Sequence, residues 1–125
     1  MRWLAALVIL AAPAASAQPA PEIVSKAAAK ARSELEARLL DYPSARFADV
    51  KAHVADGGKA VLFCGKVNAK NRSGGYVGWE GFAAFVTDSA TVTAGASDAP
   101  MTAIYCSEPI GSPVPGDFSA AMAHR

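Results

Sequence analysis

The chain has 125 residues and a formal charge of +1, from 12 basic and 11 acidic residues. This length suits one small domain rather than two, and the near balance of charge argues against a nucleic-acid-binding protein that works through a bulk positive field. The hydrophobic fraction of 52% is raised by alanine and by the first residues, so it does not indicate a membrane preference.

Residues 1–17 have the order of a secretory signal peptide. Arg2 precedes an apolar run over residues 3–12, and the small residues Ala-Ser-Ala that end at Ala17 match a cleavage site. The apolar run is too short to span a bilayer stably. The sequence therefore predicts cleavage after Ala17, a periplasmic or secreted protein, and no stable membrane span after cleavage. An uncleaved membrane anchor is the alternative.

The chain has two cysteines, Cys64 and Cys106. An even count in an exported protein favours a disulfide, worth at most about 4 kcal/mol for a loop of this length. Two buried thiols, a reactive Cys64 thiol and a metal pair are the alternatives. A metal site requires more ligands, and neither His53 nor His124 has ligand spacing with a cysteine, so no metal and no other cofactor is predicted.

Residues 22–41 predict an α-helix, after a short loose leader at residues 18–21. The segment lacks Gly and Pro, is rich in good helix formers, and is bounded by Pro21 and Pro43. Apolar residues recur near the helical period and form one stripe, which comprises Val24, Ala27, Ala28, Ala31, Leu35, Leu39 and Tyr42.

Two strands joined by a tight turn follow the helix. Residues 48–54 alternate between apolar and polar, which predicts a half-buried strand with His53 on its polar face. Residues 56–58 (Asp-Gly-Gly) suit a hairpin turn, because Gly accepts positive φ. Residues 59–69 predict a central strand with apolar residues on both faces: Val61, Phe63 and Val67 on one, and Ala60, Leu62 and Cys64 on the other.

Residues 76–87 predict the third strand, with Gly78 and Gly81 indicating a bulge or tight curvature. Residues 88–100 are mostly small or polar: Ser, Thr, Ala, Gly and Asp. Within them, residues 91–93 (Thr-Val-Thr) fit a short edge strand and a loop equally well.

Residues 101–108 predict a last strand, which brings Cys106 beside Cys64. Residues 109–125 predict an irregular tail with one weak helical turn over residues 117–123. The fold class is therefore α+β: a single domain over residues 22–108, in which the N-terminal helix packs on an antiparallel four-stranded meander, in a cystatin-like arrangement.

No catalytic motif is present. The sequence has no G-x-S-x-G, no H-E-x-x-H, no phosphate loop and no carboxylate cluster. Asp49 and Glu80 are far apart in sequence, and Ser44, Ser73 and Ser107 have no evident histidine partner. An enzyme is therefore disfavoured, and no catalytic residue is predicted. A catalytic site assembled only in three dimensions is the alternative.

The turn between the second and third strands, residues 66–79, is the predicted binding surface. Its candidate polar contacts and stacking surfaces are Lys66, Asn68, Lys70, Asn71, Arg72, Tyr76 and Trp79. Amides and cations near aromatic rings suit an anionic or carbohydrate ligand or a partner protein. Asn and Gly are also what a solvated turn requires, so turn chemistry alone is the competing interpretation.

Residues 64–82 resemble a motif of an uncharacterised family of small exported bacterial and phage proteins. The motif is C-G-x-V-N-A-K-N-x-x-G-G-Y-x-G-x-x-x-F, and residues 43–47 are similar to a Pro-Ser-Ala-x-Phe segment upstream of it. The resemblance implies export and a shared fold, and it transfers no catalytic role. Residues 73–76 (Ser-Gly-Gly-Tyr) are more loosely similar to a Ser-Gly-x-x-Tyr element of periplasmic lysozyme inhibitors, which lack a leading helix.

Two functional hypotheses follow. The first is an exported, non-catalytic binding or envelope-associated module, whose partner is an unknown protein or an envelope glycan. The second is a periplasmic inhibitor of a cell-wall hydrolase of the lysozyme type, which would place the same hairpin in the enzyme's cleft.

Overall fold

The computed structural model describes residues 20–95 and 99–125, and the predicted signal peptide lies outside them. The described residues form an α+β domain with three α-helices and a five-stranded antiparallel sheet. The helices are α1 (Ala20–Arg38), α2 (Ala99–Ser107) and α3 (Ser119–Met122). The strands are β1 (Arg46–Ala55), β2 (Ala60–Asn68), β3 (Glu80–Thr87), β4 (Thr91–Ala94) and β5 (Ser112–Val114). None of these helices has the length and apolar character needed to cross a bilayer.

The strand order is β4-β3-β2-β1-β5. Strands β1 to β4 therefore form a meander of four consecutive strands, of which the sequence predicted the first three. The predicted four-stranded sheet becomes five-stranded, because β5 pairs with the free edge of β1. The Asp56–Gly58 turn joins β1 to β2, as the sequence predicts.

Helix α1 packs along one face of the sheet through the predicted stripe. The stripe residues that are buried are Val24, Ala27, Ala28, Ala31, Leu35 and Tyr42. The helix begins at Ala20, inside the expected loose leader, because a proline in the first turn lacks only an N–H that has no intrahelical partner. It ends at Arg38, before the predicted end at Asp41, and a 3-10 turn at Tyr42–Ser44 leads into β1.

The main hydrophobic core lies between α1 and the sheet. The three residues predicted for one face of β2, Val61, Phe63 and Val67, all belong to it. The other sheet residues of this core are Val50, Ala52, Phe82, Ala84 and Val86.

The opposite face of the sheet is covered by α2. Leu62, Ala83 and Ala94 are buried there, outside the α1 core. The ring of Phe85 stacks on that of Tyr105 in α2, with centroids 5.5 Å apart.

The predicted disulfide between Cys64 and Cys106 is present, and it links β2 to α2 with the two Cα atoms 5.9 Å apart. Within the described residues, no cysteine is free.

The prediction of a strand at residues 101–108 is wrong, because this segment is α2. Its half-buried residues Thr102, Tyr105 and Cys106 recur at helical spacing, whereas Met101 and Ile104 face solvent. The fourth strand of the meander is β4 instead, which resolves residues 91–93 as a strand. The third strand also begins later than predicted, at Glu80 rather than at residue 76.

The segment after residue 108, expected to be an irregular tail, contributes β5, α3 and part of the core. Met122 is fully buried, and its carbonyl accepts a hydrogen bond from the Tyr42 hydroxyl. Arg32 Nη1 donates to the Ala121 carbonyl at 2.7 Å, and Phe118 N–H donates to the Val50 carbonyl at 2.9 Å. These hydrogen bonds fix the last residues of the chain against α1 and β1.

Candidate binding site

The hairpin of residues 66–79 includes the end of β2, extends beyond the last pair of β2 and β3 (Val67 with Glu80), and is braced by its own backbone. Lys70 and Tyr76 form a β-bridge, and Val77 N–H donates to the Ala69 carbonyl at 3.3 Å. At the tip, Asn71 N–H donates to the Gly75 carbonyl at 2.9 Å. The hairpin therefore has a defined shape, although every residue from 71 to 79 is exposed.

Two of the predicted contact residues, Asn68 and Asn71, serve the hairpin itself. Asn71 Oδ1 accepts hydrogen bonds from the N–H groups of Ser73, at 2.9 Å, and Gly75, at 3.3 Å. Asn68 Oδ1, at the end of β2, accepts one from Gly78 N–H at 3.0 Å. For these two oxygens the geometry matches the competing interpretation, in which the amides support the turn.

Tyr76 gathers two cations around its ring. The guanidinium carbon of Arg46 lies 4.4 Å from the ring centroid, and Lys70 Nζ lies 5.5 Å from it. The Tyr76 hydroxyl donates to the Ser44 carbonyl at 3.0 Å, which ties the hairpin to the 3-10 turn that precedes β1. Both distances to the ring are within the range of cation–π attraction.

Arg46 belongs to this site although sequence analysis did not identify it. It pairs in register with Asn68, so the sheet brings it to the base of the hairpin. Counting back from the Asp56–Gly58 turn would have suggested a different partner, because a bulge between Ala48 and Lys51 shifts the register. The available signal was a basic residue two positions before the expected start of the strand at residue 48.

The remaining predicted residues are more widely spread. Lys66 is exposed on β2, and its Nζ lies 3.7 Å from Asp49 Oδ2. Arg72 lies at the exposed tip of the hairpin. Trp79, directly before β3, has 52% of its surface exposed, and the neighbouring Val77 has 51% exposed. The structure thus brings Lys70 and Tyr76 together with Arg46, and it places Arg72 and Trp79 elsewhere on the same hairpin.

Three cations of the site, Arg46, Lys70 and Arg72, have no salt-bridge partner among the described residues. Lys and Arg only donate hydrogen bonds, and the two amide oxygens already accept bonds from the turn. The surface is therefore suited to an acceptor group with negative charge beside an apolar group.

Among residues 20–95 and 99–125, no group of three His, Cys, Asp or Glu side chains is arranged to hold a metal ion.

No protein-family model matches the chain, and no curated protein or solved structure shows significant similarity to it.

Proposed function

We propose that the protein is an exported, non-catalytic binding module that recognises its partner through the hairpin of residues 66–79 and Arg46. The observation that carries the proposal is a hairpin that exposes Val77 and Trp79 together with cations that form no salt bridge to a carboxylate of residues 20–95 or 99–125. Trp, Tyr and Arg are the residues that most often dominate binding at protein interfaces. A backbone-braced hairpin presents them with little loss of conformational freedom on binding.

The proposed compartment is the periplasm or the exterior of a bacterial cell. Residues 1–17 have the pattern of a cleaved signal peptide that ends at Ala17, and the hairpin motif resembles that of exported proteins. A disulfide such as Cys64–Cys106 persists in an oxidising compartment. The helix cradled by an antiparallel sheet supports the cystatin-like arrangement as a description of the fold.

Cross-linked capture from a bacterial envelope extract tests the proposed site. The native protein is compared with a variant that carries Arg72→Ser and Trp79→Ser. A matched control carries Leu40→Ser and Ile104→Ser, which change two exposed apolar residues away from the hairpin. We expect the native protein and the control to capture the same partner, and the hairpin variant to lose it. Equal capture by the hairpin variant would place the site elsewhere, and no capture by any of the proteins would contradict the binding function.

Inhibition of a cell-wall hydrolase is the second candidate, and the charge of the hairpin favours it. Glycosidases of the lysozyme type hold two carboxyl groups in the cleft. Arg72 at the hairpin tip and the pair of Arg46 and Lys70 at its base are complementary to such a cleft. We expect the purified protein to inhibit lysozyme-type activity, and Arg72→Ser to weaken the inhibition. An unchanged hydrolysis rate in excess protein would exclude this candidate and leave the first one standing.

A further inference from the structure

We infer that Arg46 and Lys70 form a carboxylate-binding subsite, and that the partner of the hairpin is an acidic segment of another protein. The inference rests on the proposed binding function and specifies the chemistry of its ligand. The segment would present one or more carboxylates to the two cations and an apolar side chain to Trp79.

The two cations are pre-ordered by a single ring. Arg46 is the first residue of β1, and Lys70 lies in the hairpin just after β2. Both side chains lie over the Tyr76 ring, at 4.4 Å and 5.5 Å from its centroid. The ring itself is held by its hydroxyl, which donates to the Ser44 carbonyl at 3.0 Å. Attraction to the ring reduces the freedom of two long side chains before any ligand binds, which lowers the entropy lost on binding.

The charges of these two cations are not compensated within the described residues. The contrast is Lys66 on the same hairpin, whose Nζ lies 3.7 Å from Asp49 Oδ2. No such carboxylate pairs with Arg46 or Lys70 in the described parts of the chain. A ligand carboxylate would therefore gain charge-assisted hydrogen bonds without displacing an internal salt bridge.

The distribution of donors and acceptors favours an acidic peptide over a glycan. A sugar hydroxyl binds best where it can both donate and accept, but Asn71 Oδ1 already accepts two backbone hydrogen bonds and Asn68 Oδ1 accepts one, which leaves few side-chain acceptors on the hairpin. Arg46 and Lys70 already lie over the Tyr76 ring, so of the two aromatic rings of the hairpin Trp79 is the more open one. What remains is a set of cationic donors next to the half-exposed Val77 and Trp79.

Selection from a random peptide library displayed on phage tests the subsite without knowledge of the natural partner. The immobilised proteins are the native chain and the double variant Arg46→Gln, Lys70→Gln. A control with Lys30→Gln and Lys59→Gln has the same net charge as the double variant, but its changes lie on α1 and beside the Asp56–Gly58 turn. Binding of an acidic polysaccharide, polygalacturonate, to the same proteins and to Trp79→Ser is measured in parallel.

We expect the native protein and the control to enrich peptides that combine Asp or Glu with an apolar residue. A synthetic copy of an enriched peptide should bind the double variant about tenfold more weakly, as for loss of a hydrogen bond to a charged group. Its affinity should also fall as salt is raised. Replacing its acidic residues by Asn and Gln should weaken binding to the native protein to a similar extent.

Two results would overturn the inference and leave the proposed function intact. One is loss of the selected peptides by Trp79→Ser but not by Arg46→Gln, Lys70→Gln. The other is saturable binding of polygalacturonate, lost in Trp79→Ser, with no peptide enriched. If Trp79→Ser, the double variant and the native protein all retained the same peptides, the hairpin would not be the site, and the proposed function would fail as well.

Tyr76 is a positioning residue in this scheme, and it has a readout of its own. Tyr76→Phe keeps the ring that holds the two cations, whereas Tyr76→Leu removes it. We expect Tyr76→Leu to lower the preference for the acidic peptide over its counterpart with Asn and Gln. Tyr76→Phe should keep the preference that the native protein has. An equal preference in both variants would mean that the ring does not organise the cations.

Discussion

The two faces of the sheet are covered in different ways. On the α1 face, packing dominates: a stripe of α1, the tail residue Met122 and the inward side chains of three strands form one buried core. On the other face, α2 has no buried residue and is held by the Cys64–Cys106 disulfide and the stacked pair of Phe85 and Tyr105. A helix of nine residues that buries so little apolar surface gains too little to offset its ordering entropy. The comparison indicates that the first helix is held by its core and the second mainly by the disulfide.

The largest expected effect comes from the α1 core. Phe63 is fully buried there, so Phe63→Ala should lower the free energy of unfolding by about 3–5 kcal/mol. Phe85→Ala removes the same atoms from a half-buried ring on the α2 face, and it should cost about 1–2 kcal/mol. Urea unfolding followed by circular dichroism measures both variants in the oxidised protein. Equal losses would contradict the difference between the faces.

The disulfide provides the next largest effect, and it separates the two helices. It joins cysteines 42 positions apart in sequence, so Cys64→Ala with Cys106→Ala should lower the free energy of unfolding by about 2–4 kcal/mol. Hydrogen exchange should show a second, local effect: the amides of α2 lose most of their protection at a denaturant concentration where those of α1 keep theirs. Met101→Ala, an exposed change on α2, is the control. If α2 kept its protection without the disulfide, noncovalent contacts would suffice to hold it.

The α1 face was also the part that the sequence predicted best. The stripe of α1 and the alternation in β1 and β2 follow clear periods, because each element buries one defined side against a large core. Helix α2 was predicted as a strand because residues 99–107 contain no charged residue that would mark a solvent-facing side. A segment in which no face is marked by charged residues fits the period of a helix and that of a strand equally well. Only its contact with β3 in the folded protein decides between them.

The tail and the site depended on interactions that a sequence pattern does not display. Met122 is buried because Tyr42 and Arg32 donate hydrogen bonds to carbonyls of the tail, and backbone acceptors have no sequence signature. In the site, Lys70 and Tyr76 were identified from composition. Arg46 was missed because the first strand was predicted to begin at residue 48, whereas β1 begins at Arg46. The bulge at Asp49, where φ is +53°, adds a residue to β1 and sets Arg46 opposite Asn68.

The smallest effect tests how the tail is fastened on the α1 face. Tyr42 is 3% exposed, and its hydroxyl donates to the Met122 carbonyl. Tyr42→Phe keeps the ring but removes this hydrogen bond, so it should lower the free energy of unfolding by about 1–2 kcal/mol at neutral pH. Tyr105→Phe on the α2 face is the control, because within the described residues its hydroxyl forms no side-chain hydrogen bond, and it should change stability by less than about 0.5 kcal/mol.

The pH dependence of stability in the native protein and in Tyr42→Phe gives a second measure of how well the Tyr42 side chain is buried. Desolvation by burial raises the pKa of Tyr42 above its ordinary value of 10.0. The unfolded chain therefore ionises first as pH rises, so stability is full below pH 10 and falls from there toward the folded pKa. Tyr42→Phe removes this source of alkaline destabilisation. The difference in the free energy of unfolding between the native protein and the variant should therefore become smaller above pH 10. A difference that stayed constant in urea unfolding would show that the phenol titrates alike in both states, and that the tail does not shield it.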